Sequence, residues 1–109
     1  MDILFADDDL RSVCEQDKIA RRQLGTAGAK KLQRRLADLA AATNVGELVA
    51  GRPHPLAGDR KGQFALDLDG ACRLVFESAD EPVPLHGAGG VDWPRVKKVR
   101  IVFIGDYHD

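Results

Sequence analysis

The stretch that decides the fold reads Val99-Arg100-Ile101-Val102-Phe103-Ile104-Gly105-Asp106-Tyr107-His108-Asp109. Its alternation predicts a β-strand over residues 97–104 with two faces, Val99, Ile101 and Phe103 on one and Arg100, Val102 and Ile104 on the other. Because both faces are largely apolar, we expect this strand to be central in its sheet. Polar residues follow the strand after Gly105: Asp106, Tyr107, His108 and Asp109.

Two strands precede it and form a predicted hairpin, one running from Phe64 to Leu68 and the other from Cys72 to Phe76. A two-residue Asp69-Gly70 loop would set Leu66 against Arg73, an apolar side chain against a charged one. A three-residue loop with Gly70 in a left-handed conformation keeps the apolar side chains together. We therefore predict the three-residue loop, which puts Arg73 on the sheet face opposite the core.

The first half of the chain is predicted to contain one strand and two helices. Ile3-Leu4-Phe5 indicates a strand, and an apolar face from Leu10 to Leu24, interrupted by Asp17, indicates a helix that Gly25 ends. A second set of apolar residues at helical spacing predicts a helix from near Thr26 to near Thr43-Asn44. A short helical turn over residues 45–49 is expected to follow it. The expected fold is α+β and single-domain over residues 1–109: β-α-α-β-β-β, with two antiparallel helices packed on one face of an antiparallel sheet.

Two long loops separate these elements. Residues 51–62 are rich in proline, glycine and basic side chains, and such loops often present functional groups. The connection formed by residues 78–95 is too long for a plain hairpin loop. It is predicted to be a long flexible loop, here called the excursion, with Trp93 as the candidate residue that anchors it to the core.

Composition is that of an ordinary globular chain, 44% hydrophobic and 30% charged. No apolar run approaches the roughly 18 residues of a membrane-spanning helix, and the first residues lack a basic secretory leader. We expect a cytoplasmic protein with no membrane partner. Cys14 and Cys72 favour buried thiols over a disulfide or metal ligands, and without CxxC or HExxH motifs we expect no metal or cofactor.

Charge is unevenly distributed along the chain. The net charge is −1, but residues 10–43 contain eight basic and three acidic residues, a local balance of +5. Four of these cations point away from the apolar stripe of the second helix: Lys30, Lys31, Arg34 and Arg35. A polarised surface of this kind can bind a polyanion, although a solvated helix face has the same pattern.

Cleavage of RNA without a metal needs a base for the 2′-hydroxyl, cations for the phosphate and an acid for the leaving oxygen. The chain holds suitable groups in His54, Lys61, Arg73, Asp106, Tyr107 and His108. Histidine titrates near neutrality, and arginine binds phosphate oxygens bidentately. Structural explanations stay open for the same residues: His54 as a surface side chain, and Arg73 as the cross-strand partner of Asp67.

Three strings occur in the order typical of a known family: His54-Pro55-Leu56-Ala57-Gly58-Asp59-Arg60-Lys61-Gly62-Gln63-Phe64, then Cys72-Arg73-Leu74-Val75-Phe76, then Ile104-Gly105-Asp106-Tyr107-His108. They resemble the HPLKGD-x-x-G, W-R-[IL]-x-F and D-Y-H patterns of the RelE/ParE superfamily of bacterial toxins, in its HigB-like "killer protein" branch. The segment from Leu36 to Thr43 resembles the end of that family's second helix. The resemblance covers most of the chain.

This resemblance implies a RelE-like fold and the toxin of a type II toxin–antitoxin system. The implied activity is a ribosome-dependent, metal-independent mRNA endonuclease in the bacterial cytoplasm. A helix-turn-helix (HigA-like) antitoxin would inactivate it. The toxin would contact operator DNA only through that antitoxin. The implied catalytic residues are His54, Arg73, Asp106, Tyr107 and His108.

The resemblance also implies a role for each of these residues. His54 or His108 would serve as general base or acid, and Asp106 would orient or assist. Tyr107 would stack on a base, and Arg73 would stabilise the transition state. The expected RNA-binding residues are Lys61, Arg60, Lys30, Lys31, Arg34 and Arg35.

The chain also departs from the family pattern. Ala57 stands where the pattern has lysine, Cys72 replaces tryptophan, the 78–98 connection is longer, and the net charge is slightly acidic. Two other functions therefore stay open: a ParE-like toxin that binds DNA gyrase, and a catalytically degenerate member that only binds its antitoxin and regulates its operator.

Overall fold

The computed structural model describes residues 1–106; Tyr107, His108 and Asp109 lie outside the described residues. Its sheet contains five strands: β1 (Asp2–Phe5), β2 (His54–Pro55), β3 (Gln63–Asp67), β4 (Arg73–Ser78) and β5 (Lys98–Gly105). Their spatial order is β1-β5-β4-β3-β2, with β1 parallel to β5 and the other neighbours antiparallel. The predicted α+β class and the central position of the last strand are confirmed.

Two helices, α1 (Asp8–Glu15) and α2 (Asp17–Ala41), follow β1. The Asp7 side chain caps α1 by accepting a hydrogen bond from the Leu10 amide at 2.9 Å. The prediction of one helix from Leu10 to Leu24 is wrong, because the backbone is already extended at Gln16. Asp17, which interrupts the apolar face in the sequence, begins α2 instead.

Gly25 breaks α2 internally at the position where the sequence predicts a stop. Its φ of 76° and ψ of 171° lie outside the helical region, in a conformation that glycine adopts at little cost. The helix resumes after it and ends at Ala41, slightly before the predicted end. Leu32 and Leu39, from the predicted stripe, are fully buried.

The core lies between the helices and one face of the sheet. Helix residues such as Val13 and Leu32 pack there with strand residues such as Leu66 and Ile101. The Trp93 ring lies 4.8 Å from the Phe64 ring, centroid to centroid, so the predicted anchor of the excursion is confirmed. Within residues 1–106, three 3₁₀ turns complete the fold: Val45–Glu47, which matches the predicted helical turn, Gly58–Arg60 and Trp93–Arg95.

The hairpin between β3 and β4 has the predicted three-residue loop. Leu66 pairs with Leu74 and Asp67 pairs with Arg73. The Leu68 amide donates to the Cys72 carbonyl at 2.9 Å, and Gly70 has a positive φ of 58°.

The predicted face assignment of the last strand is wrong beyond Ile101. Val75 pairs with Phe103 and Phe76 pairs with Ile101, so Val102 is an extra residue in β5. This bulge shifts the alternation by one position. Ile104 therefore packs against the core, and Phe103 moves to the opposite face.

Both cysteines are free thiols. Cys14 is buried as predicted, and burial, followed by the charge of Glu15, raises the pKa of its thiol to about 12. Cys72 is only half-buried. Within residues 1–106, no helix is long and apolar enough to cross a membrane.

Replacing Leu74 with alanine should destabilise the fold strongly. Leu74 is fully buried, and Leu→Ala changes at such sites lower the free energy of unfolding by about 2–5 kcal/mol. Leu85→Ala is the matched control, because Leu85 is 54% exposed and its loss should change that free energy by less than about 0.5 kcal/mol. Urea titration measures both, and equal losses would contradict the assigned core.

Candidate functional site

The sheet face opposite the helices, here called the open face, carries the candidate site. Directly opposed residues of neighbouring strands share a face, so the register defines its rows. One row runs across the sheet through His54, Ala65, Val75 and Phe103; Ala65 and Val75 in its middle are fully buried, whereas His54 and Phe103 are half-buried. The next runs through Asp67, Arg73 and Gly105. Strand spacing puts the Cα atoms of His54 and Arg73 about 12 Å apart across β3.

His54 lies in the short edge strand β2 and is half-buried. Its Nδ1 atom lies 2.7 Å from the carbonyl oxygen of Arg52. A carbonyl oxygen can only accept, so Nδ1 carries the proton in this contact. The neutral ring then keeps its lone pair on Nε2, which is the arrangement that a general base needs.

Arg73 is held by several contacts and is only 20% exposed. Its Nε lies 2.8 Å from Oδ1 of Asp67, and one terminal nitrogen donates to the carbonyls of Gly70 and Cys72, each at 3.2 Å. The cross-strand pairing with Asp67, which the sequence leaves open, is therefore present. The same contacts fix the guanidinium at the edge of the open face, beside Gly105.

Arg52 joins this pair and was not among the predicted site residues. Its Nε donates to Oδ2 of Asp67 at 2.9 Å and a terminal nitrogen donates to Oδ1 at 3.4 Å. One carboxylate thus bridges two guanidinium groups. The available signal was the position of Arg52 immediately before the Pro53-His54 pair, in a loop already expected to present function.

The loop that carries Arg52 is docked onto the sheet by its backbone. The Asp67 amide donates to the Gly51 carbonyl at 2.6 Å. Gly51 has a φ of 85° and approaches Arg35 so closely that an added Cβ would lie 2.9 Å from the Arg35 Nε. A larger residue at 51 would therefore disturb the placement of both Arg52 and His54.

Arg60 lies over the Phe103 ring, with its Cζ 4.5 Å from the ring centroid. Its terminal nitrogen also donates to the Gln63 side chain at 3.1 Å. A guanidinium stacked on an aromatic ring is a surface on which nucleobases stack. Phe103 escaped the sequence prediction because only the bulge at Val102 brings it to this face. Lys61 follows the 3₁₀ turn and is exposed.

The cations of α2 fall into two groups. Lys30 and Arg34 are exposed and Lys31 is half-buried, so their role in binding RNA stays a prediction. The Arg35 side chain is only 12% exposed and pairs with Asp38, Nη1 to Oδ2, at 2.8 Å. It packs against the Gly51 loop and leaves little surface for a polyanion.

Asp106 follows Gly105 and is exposed. Burial raises the pKa of the Cys72 thiol, the neighbouring Arg73 opposes this rise, and the charge of Asp106 adds to it. Asp106 comes directly after Gly105, which pairs with Arg73, so it lies at the end of β5 beside the Cys72–Arg73 region. Tyr107 and His108, the other predicted catalytic residues, lie outside the described residues. Among residues 1–106, no cluster of three or more His, Cys, Asp or Glu could hold a metal ion.

Asp67→Asn should destabilise the fold, because the amide keeps the size of the side chain but not the charge that binds Arg52 and Arg73. We expect a loss of about 1–2 kcal/mol in the free energy of unfolding. Asp92→Asn is the control: Asp92 is similarly exposed, at 24% against 27%, but has one ion pair, to Arg95 at 3.5 Å. Equal losses in urea titrations would show that the bridge does not stabilise the fold.

Similar solved structures share this arrangement of elements. A YoeB/ParE toxin from Agrobacterium tumefaciens has a TM-score of 0.62 at 11% identity, covering 99% of this chain and 100% of that chain. A YoeB–YefM complex from Staphylococcus aureus has a TM-score of 0.59 at 16% identity, covering 100% and 98%. No family model matches the chain, and no curated protein does. These neighbours belong to the RelE/ParE toxin superfamily, so the predicted resemblance is confirmed at the level of the fold, whereas the HigB-like branch is not confirmed.

Proposed function

We propose that this chain is the toxin of a type II toxin–antitoxin system and that it cleaves mRNA on the ribosome as an endoribonuclease. The fold supports the toxin class, since it is shared with YoeB toxins. The observation that carries the enzymatic part is the His54 ring. Its Nδ1 is occupied by the Arg52 carbonyl, and it lies on the same sheet face as Arg73.

The proposed reaction is transesterification within the RNA strand. His54 Nε2 removes the proton from a 2′-hydroxyl, the 2′-oxygen bonds to the adjacent phosphorus, and the bond from phosphorus to the 5′-oxygen breaks. His108 gives a proton to that leaving oxygen. The products carry a 2′,3′-cyclic phosphate and a 5′-hydroxyl. Arg73 and Lys61 stabilise the negative charge that develops on the phosphate. This chemistry uses only side chains as base, acid and cation.

The remaining site residues bind and orient the message. Tyr107 stacks on a base near the cleaved bond, and Asp106 assists His108. Arg60, held over Phe103, offers a second stacking surface on the open face. Lys30, Lys31 and Arg34 on α2 contact ribosomal RNA, and the affinity they supply falls as the salt concentration rises.

The proposed partner is a helix-turn-helix antitoxin in the bacterial cytoplasm. One similar structure is that of YoeB in complex with YefM, which shows that a protein of this fold has been solved with a partner. Binding of such an antitoxin would inactivate the chain, and operator DNA would be reached only through it.

One observation favours a second candidate, a degenerate toxin that only binds its antitoxin and modulates repression. Arg73 is engaged by Asp67, Gly70 and Cys72, and Ala57 leaves the basic loop one cation short of the family pattern. A phosphate would have to compete with these contacts. Cleavage activity separates the two candidates, and a supercoiling assay tests the ParE-like alternative of gyrase binding.

The proposed function is tested by incubating purified protein with ribosomes that hold a message in the decoding site. We expect fragments whose 3′ ends carry a cyclic phosphate and whose 5′ ends carry a hydroxyl. Intact message, with the protein folded and the ribosomes intact, would reject the enzyme and favour the regulator. Fragments with a 5′-phosphate would reject the proposed chemistry.

His54→Gln should lower kcat/KM for this cleavage by about 10²–10⁴-fold, because general base catalysis contributes that much. His86→Gln is the matched control: His86 lies in the exposed excursion, and its substitution should leave kcat/KM within about twofold. If both variants cleave at the wild-type rate, His54 is not the base.

A further inference from the structure

We propose that Arg52 is an additional RNA-binding residue, and that it binds the mRNA phosphate next to the one that Arg73 stabilises. The proposal rests on the function proposed above. Nothing in the sequence motifs assigns a role to Arg52, whereas the contacts of residues 51–54 place it between the proposed base and the proposed transition-state cation.

The side chains of Arg52 and Arg73 meet on one carboxylate. Nε of Arg52 lies 2.9 Å from Oδ2 of Asp67, and Nε of Arg73 lies 2.8 Å from Oδ1. Each guanidinium thus presents its Nε atom to the same carboxylate. The planar guanidinium fork also matches the geometry of phosphate oxygens.

The two arginines differ in how far they reach into solvent. The Arg73 side chain is 20% exposed and tied to the carbonyls of Gly70 and Cys72. The Arg52 side chain is 65% exposed. Arg52 approaches Asp67 from the loop that leads to the edge strand β2, whereas Arg73 belongs to β4, on the other side of β3. An RNA strand that follows this edge of the sheet would therefore meet the two cations at successive phosphates.

The backbone of Arg52 supports the same conclusion. Arg52 has a φ of 48°, a left-handed conformation that is uncommon outside glycine. Such a conformation persists only where surrounding contacts impose it, and these positions cluster at functional sites. Here the contacts are the Gly51 carbonyl with the Asp67 amide and the Arg52 carbonyl with the His54 ring. The conformation that orients the base thus also directs the Arg52 side chain to Asp67.

The test compares Arg52→Ala with Arg95→Ala on ribosomes programmed with message. Arg95 is a close match, since it is 67% exposed and pairs with Asp92, which is 24% exposed; the corresponding values are 65% for Arg52 and 27% for Asp67. Both substitutions remove one positive charge and an ion pair to an aspartate. Arg52→Ala should raise KM about tenfold with kcat within about twofold, the size expected for a hydrogen bond to a charged group. Arg95→Ala should leave both within about twofold.

Arg52→Lys separates binding from folding. Lysine keeps the charge but loses the fork, so KM should rise less than with alanine. If Arg52→Ala unfolds, the comparison of Arg52→Lys with Arg95→Lys decides the question, and equal KM values would overturn the proposal.

The other outcomes are equally distinct. If wild-type protein leaves the message intact, the proposed function fails and this proposal fails with it. If the wild type cleaves but Arg52→Ala matches Arg95→Ala, only the role of Arg52 is overturned. Binding to ribosomes without message identifies the source of the phosphate. If Arg52→Ala weakens that binding by the same factor as it raises KM, the phosphate belongs to ribosomal RNA and the mRNA contact is wrong.

Discussion

The open face of this protein depends on one carboxylate. Asp67 accepts Arg52 from the loop and Arg73 from the neighbouring strand, and its amide binds the Gly51 carbonyl. These contacts join the loop before β2 to β3 and β4 at the edge of the proposed site. The Arg73 side chain is only 20% exposed, and a partly buried charge needs a partner, so removing Asp67 would force Arg73 to reorganise. The placement of His54 follows from the same loop, because its ring is held by the Arg52 carbonyl.

Much of this arrangement could be predicted from alternation alone. The parity of Leu66 and Leu74 requires a three-residue loop, and that loop sets Asp67 opposite Arg73. The apolar faces of the last strand predict its central position, and the strings around His54, Arg73 and Asp106 predict the superfamily fold that similar structures share. These inferences succeed because a shift of one residue in register would move the apolar side chains of a strand away from the buried face. Burial of one face therefore allows only one register.

The remaining features depend on contacts between distant parts of the chain. The bulge at Val102 could not be predicted from the sequence, because the apolar residues of this strand are compatible with either face of the sheet. The bulge nevertheless brings Phe103 under Arg60. Arg35 is largely buried because Gly51 approaches it closely. Helical spacing alone does not predict a contact with such a distant loop. Arg52 was missed because its role comes from a positive φ and a shared carboxylate.

In the proposed reaction, a 2′-hydroxyl of the message attacks the adjacent phosphate after losing its proton to His54. The most direct measurement compares cleavage of two ribosome-bound messages that differ by one 2′-deoxynucleotide, placed on the 5′ side of the cleaved bond. We expect the deoxy message to stay intact at that bond while the ribose message is cut. Cleavage of both messages at the same bond and at similar rates would contradict it, because no 2′-oxygen could then be the nucleophile.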